Sequence, residues 1–198
     1  MSQTAGARLP AAERRSAIVA AALKVFASGS YAGSTTAEIA RAAGVSEPII
    51  YRHFPSKRDV WCACVGQAWV QLQETLDRKA TSLRRHGALD DVAGNRSPWA
   101  DPLLPTLWIQ GLTEAAEDEE IQRFLRAHVR EVHDYVAAGF ARLQGDGAIA
   151  PDRDADAEAW ILLAGGLLRS FADRLGGVVR PGELAAIGRE RRRWLTGG

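Results

Sequence analysis

The chain has 198 residues, and its 46% hydrophobic and 25% charged content is typical of a globular protein. Its start lacks the apolar core of a signal peptide, and the longest apolar run, AWILLAGGLL, is too short to cross a membrane. Two cysteines, Cys62 and Cys64, lie close together on a predicted helix and cannot build a disulfide framework. These features predict a cytoplasmic protein with no membrane partner.

The charge is unevenly distributed, although the net charge is only +1. Residues 1–60 hold eight Lys or Arg against four acids, whereas the remainder holds 17 against 20. A basic N-terminal region on an acidic body indicates a polyanionic partner. Alanine, leucine and arginine are abundant and strand-forming residues are scattered, so the sequence predicts an all-α protein of about nine helices.

The first two predicted helices have clear start and stop signals. A helix begins near Ala12 and shows apolar residues at helical spacing, and the glycines of SGSYAGS end it. The stretch TTAE predicts a capping box from Thr35 to Glu38, so a second helix starts there. Gly44 ends that helix, as glycine often does just past a helix C-terminus.

A very short third helix is predicted next. Ser46 is a good N-cap, and Pro48 falls in the first turn, where its missing N–H costs nothing. Pro55 ends the helix. A second cap-like pair, Ser56 and Asp59, then opens a long helix that runs to about residue 85.

The rest of the chain is also predicted to be helical. The polar connection HGALDDVAGNRSPWADP, with room for one short helix, precedes a helix that begins at LLPTLW. Residues 118–144 show the clearest helical periodicity. An apolar helix at about 153–175 and an amphipathic helix at 182–195 follow.

Two capped helices joined through Gly44 predict a helix-turn-helix over residues 35–54. Hydroxyl, imidazole and ammonium groups suit phosphates, apolar side chains suit thymine methyl groups, and Arg52 suits guanine or a phosphate. Glu47 could accept from cytosine N4. The predicted DNA-binding residues are Thr35, Thr36, Ser46, Glu47, Pro48, Ile49, Tyr51, Arg52, His53 and Lys57. The alternative is a three-helix corner that binds no DNA.

The stretch TTAEIARAAGVSEPIIYRHFPSKRDVW, with AIVAAALKVFASGSYAGS before it, resembles the N-terminal DNA-binding domain of TetR-family transcriptional regulators. The resemblance covers about residues 12–72 and implies that positions 73–198 form an effector-binding and dimerisation domain. It also implies that Thr36, Tyr51, Lys57 and their neighbours on the third helix touch DNA. Glu47 departs from the polar or basic residue of many members, so it either reads a base or serves only the helix dipole.

The sequence shows no catalytic constellation and no metal motif. His128 and His133 do not share a helix face, and no His or Cys ligand set is present. Asp152, Asp154 and Asp156 alternate but lack the glycine and glutamate of a calcium loop, so they are interpreted as helix-start acids. We therefore expect no enzyme activity, no cofactor and no metal.

Tryptophans on three predicted body helices suggest a ligand pocket. Each could be ordinary core, but together they could line an apolar cavity with few polar groups. TetR-like proteins carry such a pocket in the C-terminal body and release DNA when it is filled. The predicted ligand-binding residues are Trp69, Trp108, Phe124, His128, Tyr135 and Trp160.

On the last two predicted helices, apolar residues cover more of the helix surface than one buried face requires. This pattern predicts a twofold four-helix bundle between two copies. The alternative is that both helices are fully used inside the monomer. The predicted dimerisation residues are Ala164, Gly165, Leu168, Phe171, Ile187 and Trp194.

These expectations together predict a sequence-specific homodimeric regulator of transcription. It would bind a palindromic double-stranded operator and, as a repressor, leave it when a small, largely apolar ligand of unknown identity binds. A ligand-independent architectural DNA-binding protein and a helical enzyme are the alternatives.

Overall fold

The computed structural model describes residues 10–86 and 103–197. Within these ranges the chain forms eight α-helices and no strand, which confirms the all-α prediction. The predicted polar connection with its possible short helix lies outside the described residues. The helices are α1 Ala11–Ser28, α2 Thr36–Ala43, α3 Glu47–His53, α4 Lys57–His86, α5 Leu103–Glu114, α6 Glu119–Gly145, α7 Ala155–Leu175 and α8 Pro181–Thr196.

The chain divides into two compact units within α4, after Gln67. The N-terminal unit contains α1, α2, α3 and the start of α4. The C-terminal unit contains the rest of α4 and helices α5 to α8. The domain boundary predicted between residues 72 and 73 falls within the same long helix. None of the described helices is long and apolar enough to cross a membrane.

The start and end of α2 follow the predicted signals. The Thr35 side chain accepts from the Glu38 backbone N–H, and the Glu38 carboxylate accepts from the Thr35 N–H at 2.9 Å, so the capping box is formed. These bonds from Thr35 hold the pKa of Glu38 below its usual value. Gly44 ends the helix at φ 66, a left-handed conformation that glycine adopts without steric cost.

Helix α3 differs from the prediction in one detail. Ser46 occupies the N-cap position, but its hydroxyl makes no capping bond with any described residue. Pro48 lies in the first turn, as expected. At the start of α4 the Ser56 hydroxyl donates to Asp59 at 2.6 Å and accepts from the Asp59 backbone N–H at 3.2 Å, which confirms the second cap-like pair.

The N-terminal unit has its own hydrophobic core. Helix α2 packs on α1 and α3, and the core side chains come from every helix of the unit. Burying each large aliphatic or aromatic side chain contributes about 1.5–3 kcal/mol. The largest fully buried residues of this core are Ile18, Phe26, Ile39, Ile50, Phe54, Val60 and Trp61.

The C-terminal unit is built around the α6–α7 pair, against which α5 packs. Asp118 caps α6, and Asp154 caps α7 by accepting from the N–H groups of Asp156 and Ala157 at 2.9 and 3.1 Å. The helix-start interpretation is therefore confirmed for Asp154. The buried core includes Leu104, Leu107, Trp108, Ile121, Val132, Phe140 and Leu163.

Hydrogen bonds to one buried acid of α7 hold α8 in place. Glu158 is buried and accepts from the Trp194 indole N–H at 2.8 Å and from the Arg191 guanidinium. The backbone N–H of Ala150 also donates to the Leu195 carbonyl at 2.8 Å. Since removing one partner of a buried ion pair is costly, these bonds fix the position of α8 on the unit.

Candidate nucleic-acid interface and effector site

Helices α2 and α3 form a helix-turn-helix with an open outer face. The two helices pack through Ile39 and Ile50, which are fully buried, and the turn between them contains the left-handed Gly44. Packing through these residues leaves Tyr51 and Arg52 of α3 exposed. The short helix α3 follows directly after α2, which is capped at its start and ends at Gly44. A short exposed helix after such a turn is how a helix-turn-helix presents its recognition helix.

Three predicted DNA-binding residues are bonded to one another. The Thr36 hydroxyl, on a residue only 8% exposed, donates to the Glu47 carboxylate. The same hydroxyl lies 3.1 Å from the Tyr51 hydroxyl. Thr36 therefore joins the start of α2 to the first residue of α3 and to Tyr51, one turn further along that helix. The sequence named each of these residues as a DNA contact but did not indicate that they contact each other.

Lys57 closes the turn between α1 and α2. Its ammonium donates to the carbonyls of Tyr31 and Ser34 at 3.0 and 3.2 Å and lies 4.3 Å from the centroid of the Tyr31 ring. The residue predicted to hold a phosphate thus also has a structural task within the unit. Tyr31 was absent from the predicted site, and no local signal connects it to a lysine so far along the chain.

The C-terminal end of α3 lies near arginines of α1. The pKa of His53 is held below its usual value, first by burial and then by the charges of Arg52, Arg14 and Arg15. The Arg15 guanidinium lies 4.6 Å from the centroid of the Phe54 ring. His53 is therefore a neutral hydrogen-bonding group at neutral pH. The positive charge beside α3 comes from arginines, two of which the predicted site omitted.

Five of the six predicted ligand-binding residues meet in the C-terminal unit. The His128 ring lies 6.4, 6.0 and 5.6 Å from the ring centroids of Trp69, Trp108 and Phe124, each edge to face, and Tyr135 packs 5.2 Å from Trp69. We call these five residues the aromatic cluster. Apolar aromatic side chains around one polar imidazole are the composition typical of sites that bind small organic molecules.

The aromatic cluster holds buried polar atoms of two kinds. Both ring nitrogens of His128, which is 5% exposed, and the indole nitrogen of Trp108 have no hydrogen-bond partner among the described residues. By contrast, the Trp69 indole donates to Glu131 at 3.1 Å, and the Tyr135 hydroxyl donates to Asp77 at 2.5 Å. Burial and the Asp77 carboxylate raise the pKa of Tyr135 to about 12, so the phenol keeps its proton.

Trp160, the sixth predicted ligand-binding residue, lies elsewhere in the C-terminal unit. It is 42% exposed, and its ring centroid lies 4.3 Å from that of His133 and 5.3 Å from the Arg130 guanidinium. His133 itself is buried and bonded to Asp134 and to the Asp156 carbonyl at 2.9 and 3.1 Å. No group of three metal-ligating side chains occurs in residues 10–86 and 103–197.

A groove of about 580 Å³ lies in the N-terminal unit rather than at the aromatic cluster. It runs along the end of α1, the following turn and the last part of α2, and it is open to solvent. Its lining is mostly small and polar, which does not match the predicted apolar pocket. The lining residues are Val25, Ser28, Gly29, Ser30, Gly33, Ser34, Glu38, Arg41 and Ala42.

The predicted dimerisation residues lie on an exposed apolar surface of α7 and α8, which we call the α7–α8 face. Leu168, Phe171, Ile187 and Trp194 are large and exposed, and Phe171 is 50% exposed. Ala164 and Gly165 are also exposed, and a Cβ at Gly165 would meet no described atom within 4 Å. An exposed apolar area of this kind marks an interaction surface in soluble proteins.

An all-helical chain whose N-terminal unit presents a short helix from a helix-turn-helix has the architecture of a DNA-binding regulator. Residues 18–63 match the family model described as "Bacterial regulatory proteins, tetR family". The chain belongs to this TetR family, whose members are helix-turn-helix transcriptional regulators.

Two curated relatives are also named as helix-turn-helix transcriptional regulators. The chain is 30% identical over 134 residues to the HTH-type transcriptional regulator BetI of Rhizobium meliloti, which covers 66% of each protein. It is 37% identical over 91 residues to the HTH-type transcriptional activator FasR of Mycolicibacterium smegmatis, covering 46% of this chain and 37% of that one. The matched part thus spans just under two thirds of the first relative and little more than a third of the second.

Solved structures share the fold over nearly the whole chain. A TetR-family transcriptional regulator from Mesorhizobium loti superposes with a TM-score of 0.74 at 20% identity, covering 96% of this chain and 98% of that one. Reduced E. coli NemR superposes with a TM-score of 0.70 at 13% identity, covering 92% and 98%. At these identities the likeness concerns the fold.

Proposed function

We propose that this protein binds operator DNA as a twofold dimer, with α3 of each copy in the major groove, and that a small ligand in the C-terminal unit ends the binding. The observation that carries the proposal is the exposed face of α3. Helix α3 follows the capped helix α2 after the turn at Gly44, and arginines of α1 and α3 lie beside its exposed face. A helix in this setting can read base edges while cations beside it neutralise phosphates.

The contacts expected on DNA follow from side-chain chemistry. Arg52 is exposed and can pair with guanine O6 and N7, and Pro48 is placed to meet a thymine methyl group. Lys57, Arg14 and Arg15 supply charge for phosphates. The other residues of the proposed DNA interface are Thr35, Thr36, Ser46, Glu47, Ile49, Tyr51 and His53.

A dimer is required because one short recognition helix reads few bases. The α7–α8 face offers large exposed apolar side chains on both helices, and TetR-family regulators act as dimers. Two copies joined through this face as a four-helix bundle would bury more than about 1,000 Å², as stable interfaces do. Their recognition helices would then be about 34–36 Å apart, or a multiple of that, on a palindromic site.

The aromatic cluster is the proposed effector site. Its side chains are mostly apolar and aromatic, and His128 and Trp108 hold buried polar atoms without a partner among the described residues. Leaving such an atom unpaired costs about 1–3 kcal/mol, so a ligand that pairs with it recovers free energy. We therefore expect a small, largely apolar effector that carries one hydrogen-bonding group.

As a repressor, the protein would block transcription while bound to its operator and would allow it when the effector binds. The name of the relative FasR describes an activator, so the sign of regulation needs its own measurement. Transcription from the bound promoter, compared in cells with and without the protein, gives that sign directly. A rise in transcript on removal of the protein supports repression.

Selection of duplexes from a random-sequence pool, followed by genomic footprinting, tests DNA binding. We expect palindromic selected sites and an affinity that falls steeply with salt, because phosphate contacts release counterions. Screening small aromatic acids and phenols for release of the selected duplex then tests the effector site, with tryptophan fluorescence as readout. A protein that enriches no sequence contradicts the proposal.

A further inference from the structure

The hydrogen bonds among Thr36, Glu47 and Tyr51 leave a definite arrangement of protons. A hydroxyl has one proton to donate, and a glutamate carboxylate can only accept. Thr36 donates its proton to Glu47. The bond of 3.1 Å between the Thr36 and Tyr51 hydroxyls therefore needs the proton of Tyr51. The two protons form a chain that starts at Tyr51, passes through Thr36 and ends on Glu47.

This proton chain conflicts with the contacts expected on DNA. Phosphate oxygens accept hydrogen bonds but do not donate them, so a hydroxyl must offer its proton to bind one. While the chain is intact, neither Thr36 nor Tyr51 has a proton left for a phosphate. The negative charge of Glu47 lies beside the Thr36 hydroxyl and further disfavours a nearby phosphate. Both hydroxyls can therefore bind phosphates without the loss of another hydrogen bond only after the Glu47 carboxylate leaves.

The Glu47 carboxylate can find another hydrogen-bond donor when α3 lies in the major groove. It is the first residue of α3, and the N-terminal residues of a recognition helix approach base edges. There the exocyclic amino group of cytosine donates a hydrogen bond that a carboxylate accepts. A carboxylate that turns towards this amino group stops accepting from Thr36. The protons of Thr36 and Tyr51 are then available to phosphates.

We propose that Glu47 is a specificity-determining residue that withholds the hydroxyl protons of Thr36 and Tyr51 from the DNA backbone until a cytosine amino group takes its carboxylate. The inference rests on the proposed DNA-binding function. It couples base reading to phosphate binding, because a correct base frees two backbone contacts besides its own. On an incorrect base the carboxylate stays on Thr36, and the protein lacks both hydroxyl contacts.

The first test replaces Tyr51 by Phe in the full-length protein. Affinity is measured for a duplex selected by the wild-type protein and for a random-sequence duplex of equal length. We expect about a tenfold loss on the selected duplex, because a hydrogen bond to a charged phosphate is lost, and less than a twofold change on the random duplex. An equal loss on both duplexes overturns the inference, because the Tyr51 proton was then available throughout.

The second test removes the carboxylate. Glu47→Ala should tighten binding to the random duplex about tenfold and reduce the ratio of selected to random affinity. Adding Tyr51→Phe to Glu47→Ala should now weaken binding to both duplexes. Duplex selection with Glu47→Ala should lose the cytosine preference at one position of each half-site. An unchanged affinity for the random duplex, or an unchanged selected sequence, contradicts the proposal.

Two controls separate the carboxylate from its charge. Glu13→Ala removes an exposed acid of α1 in the same unit and should change both affinities by the same factor. Glu47→Gln keeps an oxygen that can accept from Thr36, so it should tighten random binding less than Glu47→Ala does. If Glu47→Ala does not fold, as judged by circular dichroism, Tyr51→Phe and Glu47→Gln decide the question.

The outcomes distinguish this inference from the proposed function. If the wild-type protein selects no sequence, the DNA-binding proposal fails and the inference fails with it. If it selects a palindrome but Tyr51→Phe affects selected and random duplexes equally, only the role of Glu47 is refuted.

Discussion

The two candidate sites differ in how their buried polar groups are satisfied. In the N-terminal unit, Thr36 and Lys57 have partners within the unit, whereas Nε2 of His53 is buried without a partner among the described residues. In the aromatic cluster of the C-terminal unit, His128 and Trp108 have buried polar atoms without a partner in the described part of the chain. A paired group exchanges one partner for another when a ligand arrives, whereas an unpartnered group gains its first. A paired group stabilises the free protein, and each unpaired buried group costs it about 1–3 kcal/mol.

The largest expected effect comes from disrupting the α7–α8 face, which tests whether the N-terminal unit binds DNA tightly without the proposed dimer. Phe171→Asp places a charge in the α7–α8 face, where two copies are proposed to pack. Because a buried unpaired charge at an interface costs several kcal/mol, we expect a monomer and at least about a hundredfold weaker binding to the selected duplex. Sedimentation at micromolar concentration and binding titrations measure both.

Leu112→Asp is the matched control for this substitution. Leu112 is also a large, exposed apolar residue, but it lies on α5 outside the proposed face. It should leave the dimer and the affinity unchanged. A wild-type protein that sediments as a monomer and binds one half-site at full affinity would remove both the interface and the palindrome from the proposal.

Lys57→Met removes a paired polar group from the N-terminal unit while keeping the apolar stem. The carbonyls of Tyr31 and Ser34 lose their charged donor, so the free energy of unfolding should fall by about 1–3 kcal/mol. DNA binding should weaken by the same factor on selected and random duplexes, and the salt slope should fall by about one unit, as for any lost phosphate contact. Lys24→Met, an exposed lysine of α1, is the control and should do neither. Full affinity for both duplexes with Lys57→Met would contradict the assignment of Lys57.

His128→Phe removes an unpartnered polar group from the C-terminal unit and should have the opposite sign. The free energy of unfolding should rise by about 1 kcal/mol, because two buried nitrogens without described partners are replaced by apolar carbon. His133→Phe is the matched control, since His133 is buried on the same helix but bonded to Asp134 and Asp156. It should lower the free energy of unfolding by about 1–3 kcal/mol. Equal destabilisation by both substitutions in a denaturant titration would refute the contrast between the two sites.

The parts of the fold that the sequence predicted depend on local chemistry. The Thr35–Glu38 capping box, the glycine at 44 and the proline at 48 act on residues within one turn, so short stretches indicate them. The same holds for Asp154 at the start of α7.

The parts that the sequence missed depend on packing between distant residues. The bonds from Thr36 to Tyr51 and from Lys57 to Tyr31 join side chains of different elements, and no spacing rule connects them. Trp160 shows the same limit for apolar residues. Helix α7 carries buried apolar residues such as Leu163 and also the exposed α7–α8 face, and periodicity alone did not indicate on which side Trp160 lies.

The smallest expected effect concerns His53, a group of the N-terminal site that titrates. Its folded pKa lies below the ordinary value of about 6.5, because of burial and the charges of Arg52, Arg14 and Arg15. Below that ordinary value the unfolded chain binds the proton more readily than the folded one, so stability should decline as the pH falls from about 7 towards 5. His53→Gln keeps a hydrogen-bonding group without a titration, and its thermal midpoint should decline less over this range. An identical decline in both proteins would show that His53 carries none of the pH dependence.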